Sequence, residues 1–70
     1  MLRIPVSSSN IHSVGYNPDN KILEIQFHSG GIYQYINVPQ KTHTNLISAS
    51  SIGSFFHQYV KNIYSFNKIA

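Results

Sequence analysis

Residues 21 to 39 read KILEIQFHSGGIYQYINVP, two runs of alternating apolar and polar residues joined at His28-Ser29-Gly30-Gly31. Ile22, Leu23, Ile25 and Phe27 lead into the turn, Ile32, Tyr33, Tyr35, Ile36 and Val38 lead out of it, and Glu24, Gln26 and Gln34 interleave. β-Branched and aromatic residues at period two around a glycine-bearing turn spell a β-hairpin. Glycine enters positive φ without steric cost, as short hairpin loops require. A three-residue loop, Ser29 to Gly31, would set Phe27 opposite Tyr33 and Ile25 opposite Tyr35, so that Leu23, Ile25, Phe27, Tyr33 and Tyr35 share the core face. A two-residue Ser29-Gly30 turn would instead pair Phe27 with Ile32 and send both tyrosines outward. The first register is favoured, because Glu24 and Gln26 then join Gln34 on the outer face. Ile22, Ile32 and Ile36 remain there as a contact surface.

Working outward, residues 1–9 read as an extended arm: Pro5 lacks a backbone donor, and Ser7-Ser8-Ser9 favour turns. Ile11 to Tyr16 suit a first strand with His12, Val14 and Tyr16 on one face, and Asn17-Pro18-Asp19-Asn20 is the turn that joins it to the strand at Lys21–Phe27. Downstream, Pro39 suits the first turn of a helix over Gln40 to Ala49. After Ser50, Ser51 is placed to cap a second helix. Ile52, Phe55, Phe56, Tyr59, Val60 and Ile63 fall on one face of it, predicting a helix to about Ile63 laid on the sheet. The expected class is α+β, a three-stranded antiparallel β-meander followed by two α-helices, the last packed on one sheet face. The expected organisation is an arm at 1–9, one domain at 10–66 and a tail at 67–70.

Seventy residues make one small domain with little room for an enclosed reaction chamber, so a groove or flat face is the expected site. Five Lys and Arg against two Asp and Glu give a net charge of +3, which reads as a near-neutral soluble protein with few acids, or as affinity for phosphate if the scattered basic residues cluster in the fold. Without cysteine there is no disulfide or thiolate chemistry, as is usual in the cytosol. Residues 1–6 are too short, and too soon interrupted by proline, for a signal peptide. No apolar run approaches the ~20 residues of a membrane span. A soluble cytoplasmic protein that does not engage membranes is expected.

The succession Ser8-Ser9, Ile11, Val14-Gly15-Tyr16, Leu23, Phe27, Gly30-Gly31, Tyr33-Gln34-Tyr35, Val38-Pro39, Ala49, Ser51, Gly53, Phe55-Phe56, Val60-Lys61 and Tyr64 resembles the KTSC domain. That family occurs at the C-terminus of some lysyl-tRNA synthetases and as stand-alone small proteins. The resemblance covers about residues 5 to 66 and implies a small domain for which RNA binding is suggested by the fusion partner. A role in tRNA charging does not follow, because the synthetase body is absent here.

The chemistry legible in the residues is that of binding. His12, His28, His43 and His57 lack the i,i+4 spacing that sets two imidazoles on one helical face, so they read as surface or turn residues, with no metal and no cofactor. There is no nucleophile elbow and no phosphate loop, and enzymatic activity is not expected. The His28-Ser29-Gly30-Gly31 amides could cradle a small anion, though such turns are usually only turns. Tyr16, Tyr33 and Tyr35 on neighbouring strands resemble the platforms on which single-stranded bases stack, with Arg3, Lys21 and Lys61 as phosphate partners. Against this, Tyr33 and Tyr35 lie on the face the last helix must cover, where they would serve as core. The reading is a non-catalytic binding module with RNA or another nucleic acid as partner. The alternatives are a protein-interaction or self-association module, a homo-oligomer, and a binder of a small anionic ligand such as a nucleotide.

Overall fold

In the computed structural model, which describes residues 1–70, strands β1 (Ile4–Pro5), β2 (Ile11–Asn17), β3 (Ile22–Phe27) and β4 (Ile32–Tyr35) precede helices α1 (Gln40–Ser48) and α2 (Ile52–Tyr59), and β5 (Phe66–Lys68) ends the chain. The sheet is antiparallel with order β1-β2-β3-β4-β5. The predicted three-stranded meander is its centre. The correction is two short edge strands, one from the arm and one from the last residues, neither long enough to show a period. No helix is long and apolar enough to cross a membrane.

The hairpin slips by one residue on each strand from the expected register. Ile25 opposes Tyr33 and Leu23 opposes Tyr35. The Phe27 amide donates to the Gly31 carbonyl and the Gly30 amide to Phe27, and Gly30 has φ +107°. The loop is therefore His28-Ser29-Gly30, still three residues, with the left-handed glycine at its end. Moving both partners by one preserves parity, so the tyrosines stay on the core face.

A second departure lies in β2. Ile11 opposes Phe27 but Ser13 opposes Gln26, so His12 is the extra residue of a bulge. A bulge resets alternation. Ile11 and Val14 are both buried as a result, while His12 is exposed rather than sharing the Val14 face.

One sheet face carries the core: Val14, Leu23, Ile25 and Tyr35, with Val38, Leu46, Phe56 and Val60 laid over them. Ser51 accepts a hydrogen bond from the Ser54 amide and starts α2 as predicted. The helix stops four residues early, however. Val60 leaves helical dihedrals, and Asn62 takes φ +69°, a left-handed conformation that Asn tolerates at helix ends. Ile63 is consequently 63% exposed, and Tyr59, still within the helix, is 51% exposed, so the apolar face narrows to Phe56 and Val60, flanked by Ile52 and Phe55.

The outer sheet face is not simply solvated. Glu24, read as an outward residue, is buried, ion-paired to Arg3 and hydrogen-bonded by Gln34 Nε2 at 2.8 Å. The chain before β1 lies across this face as a strap over Gly15. A Cβ at Gly15 would stand 2.7 Å from the Leu2 carbonyl oxygen, so only glycine admits the crossing. Burial pushes the Glu24 carboxyl up, but the hydrogen bonds from Gln34 and Arg3 and the guanidinium charge outweigh it and hold the group below its ordinary value.

Candidate functional site

Where α2 ends and β5 crosses back, Phe27, Tyr33, Tyr35, Phe56 and Phe66 surround a cleft of about 390 Å³ whose rim carries Lys61. The strands place these rings by register. Tyr35 opposes Phe66, and Tyr33 opposes Lys68, so the aromatic and basic residues of β4 and β5 share one face. Ring centres of Tyr33 and Phe66, and of Tyr35 and Phe66, are each 5.5 Å apart. Phe27 meets Tyr33 at 5.5 Å and Phe56 at 5.4 Å, both nearly edge-on, within the spacing at which aromatic pairs attract.

The rings grade from floor to rim. Tyr35 is buried, and desolvation followed by the neighbouring Tyr33 pushes its hydroxyl up to about 12, so it stays neutral. Tyr33 is half-buried. Phe66 is 54% exposed and offers its ring to solvent. Lys61 and Lys68 are exposed, and no carboxylate pairs with either. Such a site can accept a flat apolar surface and an anionic group beside it. Asn10, Ser29, His57 and Asn62 complete the polar rim.

Of the residues singled out from the sequence, Tyr33, Tyr35 and Lys61 come together here. The other three lie elsewhere. Arg3 is the strap's partner for Glu24 on the opposite sheet face. Tyr16 stacks on His43, ring centres 4.7 Å apart and 10° from parallel, and its hydroxyl donates to the Val38 carbonyl. Its hydroxyl pKa is raised, by burial and then by Tyr64, while burial lowers that of the His43 imidazole. Lys21 sits at φ +57° in the β2–β3 turn, where its carbonyl accepts from Val38. Phe66, the last residue of the expected domain, and Lys68, in the expected tail, are further candidates that gain their place only through pairing with β4.

Comparison with known proteins agrees with this architecture. The KTSC domain family model matches residues 7–64. The chain belongs to the KTSC family. The crystal structure of a KTSC domain protein from Yersinia pestis superposes with a TM-score of 0.96 at 51% identity, covering 99% of this chain and 97% of that one. An uncharacterized protein of Stutzerimonas stutzeri is 41% identical over 61 residues, 87% of this chain and 86% of that protein. A lysine–tRNA ligase of a Nostoc species is 32% identical over 62 residues, 89% of this KTSC domain but 11% of the ligase. The same unit thus occurs as a stand-alone chain and as a small part of a much larger enzyme.

Proposed function

We propose that this KTSC domain is a non-catalytic module that binds single-stranded RNA in the aromatic cleft, with the cytoplasm as its compartment. The observation that carries the reading is the exposed Phe66 ring beside Tyr33, with Lys61 on the rim and Lys68 opposite Tyr33 on β5. Bases stack on aromatic faces for about 1–3 kcal/mol each, and lysines beside them meet the phosphates. Two features of the protein favour an anionic ligand. Arg3–Glu24 is the one ion pair, so all four lysines are without carboxylate partners. No acid lines the cleft, so it offers no carboxylate for acid–base work or to repel phosphate. The kinship with lysine–tRNA ligases adds an RNA-handling context. Fluorescence anisotropy with a labelled single-stranded oligoribonucleotide tests the reading. Saturable binding that weakens with salt and with loss of the Phe66 ring is expected, and absence of binding at low salt would overturn it.

A self-association reading has one observation in its favour. Ser65 and Ile69 bond to β4, which leaves the backbone groups of Phe66 and Lys68 facing outward along an open edge. A sedimentation mass of twice 7.9 kDa that persists after nuclease treatment would favour that reading over the first.

A further inference from the structure

The bulge in β2 and the turn after β3 bring together His12 and His28, whose ring centres lie 5.6 Å apart with planes at 81°. Each ring is held by an oxygen at one nitrogen. His28 Nε2 lies 3.0 Å from the Ser8 carbonyl oxygen. A carbonyl only accepts, so Nε2 carries the proton and Nδ1 keeps its lone pair. His12 Nδ1 lies 3.0 Å from Ser13 Oγ, and the Ser13 hydroxyl donates to Gln26 Oε1 at 3.3 Å. Ser13 Oγ can then accept from His12 Nδ1, the tautomer that leaves the lone pair on Nε2. In these tautomers each ring has one basic nitrogen without a hydrogen-bond partner.

That is the outer-shell arrangement of metal-bound histidines, in which the second ring nitrogen donates to a fixed oxygen. Metal–nitrogen bonds of ~2.0–2.1 Å at a tetrahedral angle would hold two imidazole centres roughly 5 Å apart, close to the spacing found. Both side chains are exposed, which leaves room for water to fill the remaining positions.

We propose that His12 and His28 form a two-imidazole chelate for a divalent first-row transition ion, Cu²⁺ above Ni²⁺ and Zn²⁺. Imidazole suits these ions, and Cu²⁺ heads the affinity order. Ca²⁺ and Mg²⁺ call for oxygen ligands, and the pair offers none that is charged. No cluster of three or more metal-ligating side chains forms anywhere in the chain, so the ion is held reversibly by two protein ligands. Bound there, it would clamp the start of β2 to the end of β3, and through Ser8 to the arm.

The test is calorimetric titration of untagged full-length protein with CuCl₂, with His12→Gln, His28→Gln and His57→Gln beside the parent. One ion per chain is expected, with affinity reduced in either of the first two variants by at least the roughly 10- to 100-fold that loss of an outer-shell partner costs, and unchanged in the third. Because both rings are at the surface, the melting temperatures without metal serve as the folding control. With ZnCl₂, the ¹⁵N resonances of His12 Nε2 and His28 Nδ1 should move while the other two ring nitrogens stay protonated. No saturable binding of one ion per chain, parental affinity in either variant, or movement of the opposite nitrogens would overturn the proposal.

Discussion

Replacing Phe66 separates the proposed function from the fold. The side chain is 54% exposed, so truncation to Ala removes about 1 kcal/mol of burial and lowers the melting temperature by about 4–8 °C. The domain should remain folded at the assay temperature. Loss of one base-stacking face removes about 1–3 kcal/mol of binding, which is about 5- to 150-fold in affinity. Phe66→Leu sharpens the distinction, since it keeps apolar cover over Tyr33 and Tyr35 but has no ring face; it should bind nearly as weakly as Phe66→Ala while melting closer to the parent. Salt supplies an independent check. If Lys61 and Lys68 each meet one phosphate, the slope of log affinity against log salt is about −1.4, and affinity falls about sevenfold between 50 and 200 mM. Lys61→Glu should at least halve that slope without moving the melting temperature much. Anisotropy titrations of parent and variants at both salt concentrations provide the readout. Parental affinity in Phe66→Leu, or an unaltered slope in Lys61→Glu, would refute the cleft as an RNA site.

Phe56, 4% exposed and edge-on to Phe27 and Tyr35, pins α2 to the sheet; Phe56→Ala should cost about 3–5 kcal/mol out of a total of about 3.5–10 kcal/mol for a chain this size, and a fluorimetric melting shift of under ~5 °C would contradict its place in the core. Gly15→Ala should displace the N-terminal strap at roughly 1–3 kcal/mol, which hydrogen exchange would register as faster exchange of the Val6 amide, now bonded to His12. Acid should destabilise the protein in two steps. His43 is held below its ordinary value of 6.5 and Glu24 below 4.5, so in each case the unfolded chain takes up the proton first, and stability falls as pH drops below 6.5 and again below 4.5. Urea midpoints at either side of each value measure this, and Glu24→Gln should abolish the lower step. At the alkaline end the sign reverses: with Tyr35 raised from 10 to about 12, stability is full below pH 10 and is lost as pH rises through about 12.

Much of the molecule is legible in the residues because its centre is periodic. The alternation from Ile22 to Tyr35 fixes which side chains face inward even though the loop slips by one residue, since a slip shared by both strands leaves parity intact. Features that depend on distant partners are not legible in this way. Glu24 reads as an outward residue because alternation carries no record of Arg3 crossing the sheet. The bulge at His12 follows from local pairing of Ser13 with Gln26, and no period marks it. The early end of α2 did have a signal, Asn62, an amide residue suited to left-handed φ, but the apolar spacing through Ile63 overrode it. Half of the site was visible for the same reason. Tyr33 and Tyr35 belong to the periodic strand, and Lys61 follows the helix, whereas Phe66 and Lys68 gain their place only by pairing with β4.

The two margins of the sheet differ in kind. Val6 bonds back to His12 across β1, so the position facing outward between Ile4 and Val6 is Pro5, which has no amide proton to donate. The β5 margin keeps both donors and acceptors. Growth by strand addition needs a receptive margin at each end of every subunit, and this protein has one. Two copies joined through β5 would saturate each other, and the closed pair would offer nothing to a third, so the architecture permits dimers but blocks fibrils built edge to edge.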